Sequence, residues 1–288
     1  MKYIDLHVHS NASDGTLTPS EVVDLAVEKD LAAIALTDHD TIKGLACAMK
    51  KAKEYQDQGK EIQIIPGVEL SVEYGKKDIH MLGLFIDYES DILKNSLNAA
   101  QEEREQRNLK MIENLAGAGI DISMEKLRAR EGESVLTRAH FAKYLTETGY
   151  TKTPKHAFER YLDSNGPYYV PRKYLSPIKA IELIQQSHGL PVLAHPLLYH
   201  LSNTELDHLV SDLKEEGLVG IETIYSSNMG FQESEVRKLA RKYDLLITGG
   251  SDFHGANKPL IQIGTGKGNL KIPYSILEDL EAKRQLLY

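Results

Sequence analysis

The chain has 288 residues, of which 41% are hydrophobic, enough to bury one large core or a core with a smaller appended domain. A formal net charge of -8 argues against an extended surface for duplex nucleic acid, because such binding depends on lysine and arginine neutralising phosphates. A single cysteine excludes an internal disulfide and a cysteine-rich zinc site, and the lack of a leader or of an apolar run of roughly 20 residues predicts a cytoplasmic protein without a membrane partner.

Short apolar runs in the first third of the chain predict strands at residues 3–8, 31–37, 62–68 and 79–86. Between the first two runs, Thr18-Pro19-Ser20-Glu21 is typical of a helix start, and the amphipathic stretch after it reaches Asp30. A second amphipathic stretch covers residues 41–58. Strands that alternate with helices predict βα units and a largely parallel sheet.

The pattern changes to long polar helical runs, such as 96–116 and 138–148, which predict a helical insertion domain at residues 91–166. Alternation then resumes, with helices at 178–187, 205–216 and 232–243 and strands at 191–194, 220–225 and 245–249. Residues 1–90 and 167–288 would therefore form one α/β domain. Its seven predicted strands are enough to close a barrel, one fewer than the usual eight.

The first predicted strand ends in Asp5-Leu6-His7-Val8-His9. Residues two apart on a strand project from the same face, so His7 and His9 could bind one metal ion. Asp14 follows in a Ser-Asp-Gly turn, where local turn chemistry is an alternative explanation for the acid.

The second strand is followed by Thr37-Asp38-His39-Asp40, which places a histidine between two carboxylates. A metal-binding histidine usually donates its other nitrogen to a carboxylate, so Asp38 or Asp40 could be that partner, although aspartate is also favoured at a helix N-terminus. The third strand is predicted to end in Gly67-Val68-Glu69, and for Glu69 the alternative is the ordinary polarity of a strand end.

Three further segments carry histidine or acid near predicted strand ends. His80 lies near the start of the fourth strand, where a packing role is the alternative. His195 follows the fifth strand, and Asp252 and His254 follow the seventh. In parallel β/α folds the C-terminal strand ends face one shared site. Nine candidate metal ligands result: His7, His9, Asp14, His39, Glu69, His80, His195, Asp252 and His254.

The other histidines have no acid partner in the sequence. His156, His188, His200 and His208 are assigned to structure or surface, whereas His140 remains an open case.

The metal-site motifs resemble the polymerase and histidinol phosphatase (PHP) superfamily, in family order and over nearly the whole chain. The resemblance implies a distorted seven-stranded (β/α) barrel with a two- or three-metal centre. It assigns His7, His9, Glu69 and Asp252 to one metal, Asp14, His39 and His254 to a second, and Glu69, His80 and His195 to a third.

The insertion, with Leu136-Thr137-Arg138-Ala139-His140 and Gly166-Pro167-Tyr168-Tyr169-Val170-Pro171, resembles the branch of nucleoside 3',5'-bisphosphate phosphatases, some of which also trim RNA from the 5' end. That branch implies phosphate binding by Arg104, Arg107 and Arg138, and His140 is a further substrate-binding candidate. For Arg104 and Arg107 a solvated helix face is the alternative. Several relatives carry an arginine shortly after the His-Pro pair, and this chain does not.

The predicted chemistry is attack on phosphorus by a metal-bridging hydroxide, with Asp14, His39 and His254 as catalytic residues. Histidine and carboxylate ligands suit Mn, Fe or Zn, and the resemblance favours two or three Mn ions.

The expected substrate is a small phosphorylated nucleotide, with short RNA as a second class. The alternatives are a histidinol phosphate phosphatase or other small phosphoester hydrolase, and a non-catalytic binding module stabilised by metal, although degenerate members usually lose ligands.

Overall fold

The computed structural model describes residues 2–75, 77–163, 166–171 and 175–288. The chain divides into two compact units, one formed by Met1–Asn95 with Leu175–Tyr288 and the other by Ser96–Tyr174. Among the described residues, no helix combines the length and the apolar character that crossing a membrane requires.

The first unit contains a seven-stranded sheet whose strands follow one another in chain order. The strands are β1 (Tyr3–Val8), β2 (Leu31–Leu36), β3 (Gln63–Tyr74), β4 (Lys77–Leu84), β5 (Leu190–Leu193), β6 (Gly220–Tyr225) and β7 (Leu246–Gly250). β1, β2 and β3 pair in parallel, as do β5, β6 and β7. The predicted α/β barrel of seven strands is confirmed.

The parallel prediction is wrong for β4, which pairs antiparallel with both β3 and β5. Only two residues separate the end of β3 at Tyr74 from the start of β4 at Lys77. A connection this short can join antiparallel neighbours but cannot make the crossover that a parallel pair needs. The pairing also extends β3 six residues beyond its predicted end at Val68, to Tyr74.

Helices connect the parallel strands, and α1 (Pro19–Glu28) shows how the sequence starts them. The Thr18 side chain accepts a hydrogen bond from Glu21 N, and the Glu21 carboxylate accepts one from Thr18 N at 2.7 Å. Proline at the first helical position needs no hydrogen-bond partner for its nitrogen. The first unit also contains α2 (Leu45–Asp57), α7 (Pro177–Gln186), α8 (Asn203–Glu215), α9 (Gln232–Lys242) and α10 (Ser275–Leu287); helices are numbered in chain order, and α3 to α6 are described with the second unit.

The second unit is helical. Its helices are α3 (Asp91–Gly117, which begins in the first unit), α4 (Met124–Glu131), α5 (Arg138–Glu147) and α6 (Pro154–Ala157), the last continuing as a π-helical turn over Phe158–Leu162. Met111, Leu127, Phe141 and Leu145 are all completely buried in one apolar cluster of this unit. The unit therefore has a hydrophobic core of its own.

The barrel is held together between β1 and the segment that follows β7. Asp252 N donates to His7 O at 2.9 Å, and His9 N donates to Phe253 O at 3.0 Å. The buried Asp5 carboxylate accepts hydrogen bonds from Ser251 N at 2.8 Å and from Gly264 N at 2.7 Å. These bonds bring candidate ligands from opposite ends of the sequence to the same place.

Gly250, the last residue of β7, permits this close approach. A Cβ atom at Gly250 would lie 2.2 Å from His7 Cβ and 2.8 Å from His7 N. We expect Gly250→Ala to lower the free energy of unfolding by about 1–3 kcal/mol or more, because the backbones of β1 and β7 would have to separate. Urea denaturation followed by circular dichroism measures the change.

Gly117→Ala is the matched control, because a Cβ atom there meets no atom within 4 Å. Alanine is also the better helix former, so this variant should be as stable as the wild type or slightly more stable. Equal stabilities of Gly250→Ala and wild type would contradict the predicted clash.

Candidate metal centre

His7 and His9 come from β1 and the segment directly after it. His7 lies within the strand, and His9 follows its last residue, Val8. Their Nε2 atoms are 3.1 Å apart, and both residues are completely buried. Two imidazole nitrogens that face each other this closely can bind the same cation. The structure thus brings together the pair that the strand periodicity predicted on one face.

Glu69 lies at the middle of the cluster, with its carboxylate close to five imidazole rings. Oε2 faces three ring nitrogens, His7 Nε2 at 3.3 Å, His9 Nε2 at 3.2 Å and His39 Nδ1 at 3.0 Å, and Oε1 faces two, His80 Nδ1 at 2.8 Å and His195 Nε2 at 3.0 Å. Glu69 is the seventh residue of the twelve-residue β3, so its predicted position at a strand end is wrong. The strand continues past it because its hairpin with β4 reaches Tyr74.

Asp14 joins the histidines that follow β2 and β7. Asp14 Oδ1 lies 3.2 Å from His254 Nε2 and 3.8 Å from His39 Nε2. The rings of His9 and His254 stack with centroids 4.0 Å apart. Asp14 is therefore part of the cluster, and the turn in which it lies does not by itself explain its position.

His80 reaches the cluster because β4 runs against its neighbours. An antiparallel strand begins where parallel strands end, so the first half of β4 lies beside the C-terminal ends of the other strands. His80, the fourth residue of β4, is only 23% exposed in its side chain and contacts Glu69. The His80 and His195 rings lie edge to face, with centroids 5.2 Å apart.

Asp252 has one carboxylate oxygen directed to the histidines and the other to partners outside the cluster. Oδ1 lies 3.4 Å from His9 Nε2 and 3.3 Å from His254 Nδ1. Oδ2 accepts hydrogen bonds from Tyr225 Oη at 2.8 Å and from Lys258 Nζ at 2.6 Å. Each oxygen of this carboxylate thus has a separate set of contacts.

All nine candidate ligands lie in one cluster, within which three groups have ligand atoms that all approach one another within 4.8 Å. The groups are His9, Asp14, His39 and His254; His7, His9 and Glu69; and His39, Glu69 and His80. They overlap with the three ligand sets that the family resemblance implies without matching them in full. The assignment of each residue to a particular metal stays a prediction.

Burial and neighbouring charges shift the pKa values of the clustered residues in different directions. Burial alone would raise the pKa of Glu69, but the charges of His39 and His80 hold it well below its ordinary value. Burial lowers the pKa of His80, yet Glu69 outweighs it and raises the pKa to about 9. Burial and then the charge of His254 lower the pKa of His9 well below its ordinary value. The ionised Glu69 carboxylate therefore lies beside a protonated His80 ring and a neutral His9 ring, and a cation that binds His80 would displace its proton.

Several buried polar atoms in the cluster lack a hydrogen bond, as expected of residues that bind a metal ion. Glu69 Oε2, His9 Nδ1 and His39 Nδ1 have no hydrogen-bond partner in the described part of the chain. Glu69 Oε2 nevertheless lies within 3.3 Å of three imidazole nitrogens. Buried polar atoms are normally hydrogen-bonded, so lone pairs that converge in this way fit a shared cation.

Glu222, which the sequence analysis missed, connects two of the histidine-bearing segments. This completely buried residue of β6 has Oε1 3.1 Å from His7 Nδ1, and its Oε2 accepts a hydrogen bond from His195 N at 2.8 Å. A carboxylate on Nδ1 leaves Nε2, which faces the cluster, free to bind a metal. The sequence does contain a signal for this role, because Glu222 is the one charged residue in the buried strand Gly220–Tyr225.

The two acids beside His39 have other partners than the one predicted. The Asp38 carboxylate accepts hydrogen bonds from Ser10 N, Ser10 Oγ and Ser13 Oγ at 2.6–2.8 Å. The Asp40 carboxylate accepts bonds from Ser71 N and Oγ at 2.9 and 3.0 Å. The ring of His39 instead approaches Asp14 and Glu69. The expected pairing of His39 with Asp38 or Asp40 is therefore wrong, because Asp38 binds the loop after β1 and Asp40 binds Ser71 of β3.

The candidate substrate-binding residues belong to the second unit. Arg104 and Arg107 are only 7% and 4% exposed, which excludes the solvated helix face considered from the sequence. Arg138 lies over the ring of Tyr169, 5.5 Å from its centroid. His140 is buried and caps α5, because its Nδ1 accepts a hydrogen bond from Thr137 N at 2.9 Å. Their roles in substrate binding stay predictions.

The histidines assigned to structure or surface lie apart from these contacts. His188, His200 and His208 are exposed and His156 is partly buried. His188 packs edge to face against Tyr288, with ring centroids 5.1 Å apart.

Residues 5–247 match the model of the PHP domain family, which covers well over half of the chain. The chain belongs to the PHP domain family. The resemblance to the PHP superfamily that the sequence motifs indicated is thereby confirmed.

Two PHP relatives align over nearly their whole length. The chain is 34% identical over 284 residues to the 3',5'-nucleoside bisphosphate phosphatase of Chromobacterium violaceum, covering 98% of each chain. It is 35% identical over 260 residues to the 5'-3' exoribonuclease Rnm of Escherichia coli K12, covering 90% of this chain and 87% of the relative. These relatives bear out the branch of the PHP superfamily that the insertion motifs indicated.

A solved structure has the same fold. An amidohydrolase from Chromobacterium violaceum, with bound sulfate, superposes with a TM-score of 0.86 at 33% identity and covers 98% of this chain and 96% of its own.

Proposed function

We propose that the protein is a metal-dependent phosphatase that removes the 3'-phosphate from nucleoside 3',5'-bisphosphates and also trims short RNA from its 5' end. This PHP chain is a phosphoesterase, as its family and two relatives named for phosphoester cleavage indicate. The observation that carries the proposal is Glu69, whose two oxygens face five imidazole rings at 2.8–3.3 Å.

The nine residues would hold two or three divalent cations, which we propose to be Mn, with Fe and Zn as alternatives. Cations bound there lower the pKa of water and stabilise negative charge on the phosphoryl group. Glu69 would contribute to more than one of these sites, because its two oxygens face different histidines. This arrangement requires no serine or cysteine nucleophile.

Asp14, His39 and His254 are the residues we propose to move protons. His254 Nε2 lies 3.2 Å from Asp14 Oδ1, close enough for a proton to be shared between them. When water attacks phosphorus and the bond to the ribose 3' oxygen breaks, that oxygen leaves as an alkoxide that needs a proton. The attacking water loses a proton as it bonds to phosphorus, and Asp14, with His254 beside it, would pass that proton to the leaving oxygen.

The insertion residues Arg104, Arg107, Arg138 and His140 are proposed to bind the phosphate that does not react. Guanidinium groups bind phosphate through paired, charge-assisted hydrogen bonds, and a fixed second phosphate orients the first. The 34% identity to a relative named as a 3',5'-nucleoside bisphosphate phosphatase supports this role.

The test is release of inorganic phosphate from adenosine 3',5'-bisphosphate by the purified protein supplied with Mn. We expect phosphate and adenosine 5'-monophosphate as products, identified by chromatography, and loss of the reaction on chelation with EDTA. Asp14→Asn and His254→Ala should each lower kcat by roughly 10²–10⁴-fold, the range that general acid–base catalysis contributes.

The same assay separates the alternatives. Histidinol phosphate and a 5'-phosphorylated short RNA are run beside the bisphosphate, and a higher kcat/KM for histidinol phosphate would replace the proposed substrate. Elemental analysis of the metal content, combined with this assay, distinguishes the proposed enzyme from a non-catalytic binding module. Two or three bound metals without hydrolysis of any of these substrates would contradict the proposed function.

A further inference from the structure

Lys258, six residues after Asp252, contacts the centre from outside. Its Nζ donates a hydrogen bond to Asp252 Oδ2 at 2.6 Å. The other oxygen of Asp252 faces His9 and His254. The ammonium group is thus separated from the histidine cluster by a single carboxylate. Neither the sequence motifs nor the proposed mechanism uses this lysine.

The turn that carries Lys258 is fixed to the loop that carries Asp14. Asn257 Nδ2 donates to Asp14 O at 2.8 Å, and Ala256 N donates to Thr16 Oγ1 at 2.9 Å. Gly255, with a φ of +63°, allows this contact, because a Cβ atom there would lie 2.1 Å from Thr16 Oγ1. These bonds hold the backbone of the lysine, so little of its backbone freedom remains to be lost on binding a ligand.

The exposure of Lys258 distinguishes it from the other groups of the centre. Its side chain is 38% exposed, whereas that of Asp252 is 5% exposed. An ammonium group has three hydrogens, and within the described residues Nζ has one hydrogen-bond acceptor, Asp252 Oδ2. The others are available to a ligand that approaches from solvent.

Neutralisation of Asp252 alone does not explain this placement well. Asp252 Oδ2 already accepts a hydrogen bond from Tyr225 Oη at 2.8 Å, and its Oδ1 lies within 3.8 Å of ring nitrogens of three histidines, His7, His9 and His254. A partly exposed ion pair contributes about 0–1 kcal/mol to stability. A lysine held beside the centre and open to solvent instead suits recognition of an incoming anion, since ammonium groups bind phosphate as point charges.

We propose that Lys258 is a further substrate-binding residue, whose ammonium group binds an oxygen of the phosphate that reacts at the centre. This inference rests on the proposed function for the identity of the anion. It differs from the role proposed for the insertion arginines, which concerns the second phosphate.

The test measures binding of inorganic phosphate, the product of any phosphomonoesterase, to the full-length protein loaded with Mn, by isothermal titration calorimetry. Lys258→Met removes the charge and retains most of the side-chain length, and we expect it to weaken phosphate binding at least tenfold. Lys258→Arg should restore binding to within about threefold of wild type. Lys267→Met is the control, because Lys267 is an exposed lysine of the same unit whose Nζ bonds Ser227 Oγ at 3.3 Å.

Elemental analysis of the same samples gives the second readout, and Lys258→Met should retain the metal content of wild type. Unchanged phosphate binding in Lys258→Met overturns the proposal. Loss of metal together with phosphate also overturns it, because Lys258 would then act only by holding Asp252. Phosphate binding that depends on Lys258 supports it even if adenosine 3',5'-bisphosphate is not hydrolysed, so the two proposals can fail separately.

Discussion

Glu69→Gln should lower kcat/KM by roughly 10³-fold, equivalent to several kcal/mol of transition-state stabilisation by the metals. Glu69 Oε2 faces three imidazole nitrogens and Oε1 faces two. The amide of glutamine keeps the shape of the side chain, but it is neutral and has one oxygen where the carboxylate has two. One of the two groups of histidines would then face a donor instead of an acceptor.

Metal content after dialysis, measured by elemental analysis, and kcat/KM for the bisphosphate are the readouts for this variant. Glu73→Gln is a matched control, because Glu73 belongs to the same strand and is exposed. It should behave as wild type in both measurements. Full metal content and undiminished activity in Glu69→Gln would show that the carboxylate does not bridge the sites.

Glu222→Gln should weaken metal binding by about 10–100-fold, although it changes no candidate ligand. Both partners of Glu222 are donors when the site binds metal, since His195 N donates to Oε2 and His7 Nδ1 lies 3.1 Å from Oε1. A glutamine has only one acceptor oxygen. In one orientation its NH₂ opposes the amide of His195, and in the other it faces His7 Nδ1.

The second orientation moves the proton of neutral His7 to Nε2, the atom that faces His9 and Glu69. With diamagnetic Zn in place of Mn, the ¹⁵N chemical shifts of the His7 ring report this change of tautomer, which a loss of packing alone would not produce. Glu215→Gln, at an exposed position on α8, is the control and should leave metal affinity and the ring shifts unchanged. Metal affinity equal to wild type in Glu222→Gln would refute the positioning role.

The sequence by itself determined the features that depend on neighbouring residues. The alternation of side chains along a strand predicted that His7 and His9 share a face, and they do, with Nε2 atoms 3.1 Å apart. The helix start at Thr18-Pro19 was equally readable, because a capping box is formed by residues three apart. The family motifs are short segments that can be recognised in the sequence, and their resemblance to the PHP superfamily indicated the seven-stranded barrel.

Only the tertiary structure decided which distant groups meet. The direction of β4 depends on its pairing with β3 and β5, and that direction brings His80 to the cluster. Glu222 and Lys258 belong to no sequence motif. Glu222 contacts His7, which is more than 200 residues away in the chain. Lys258 contacts Asp252 across a loop of the six residues that follow it. Local propensity cannot specify such contacts, because strand pairing and barrel closure bring together residues that are far apart in sequence or held by loops.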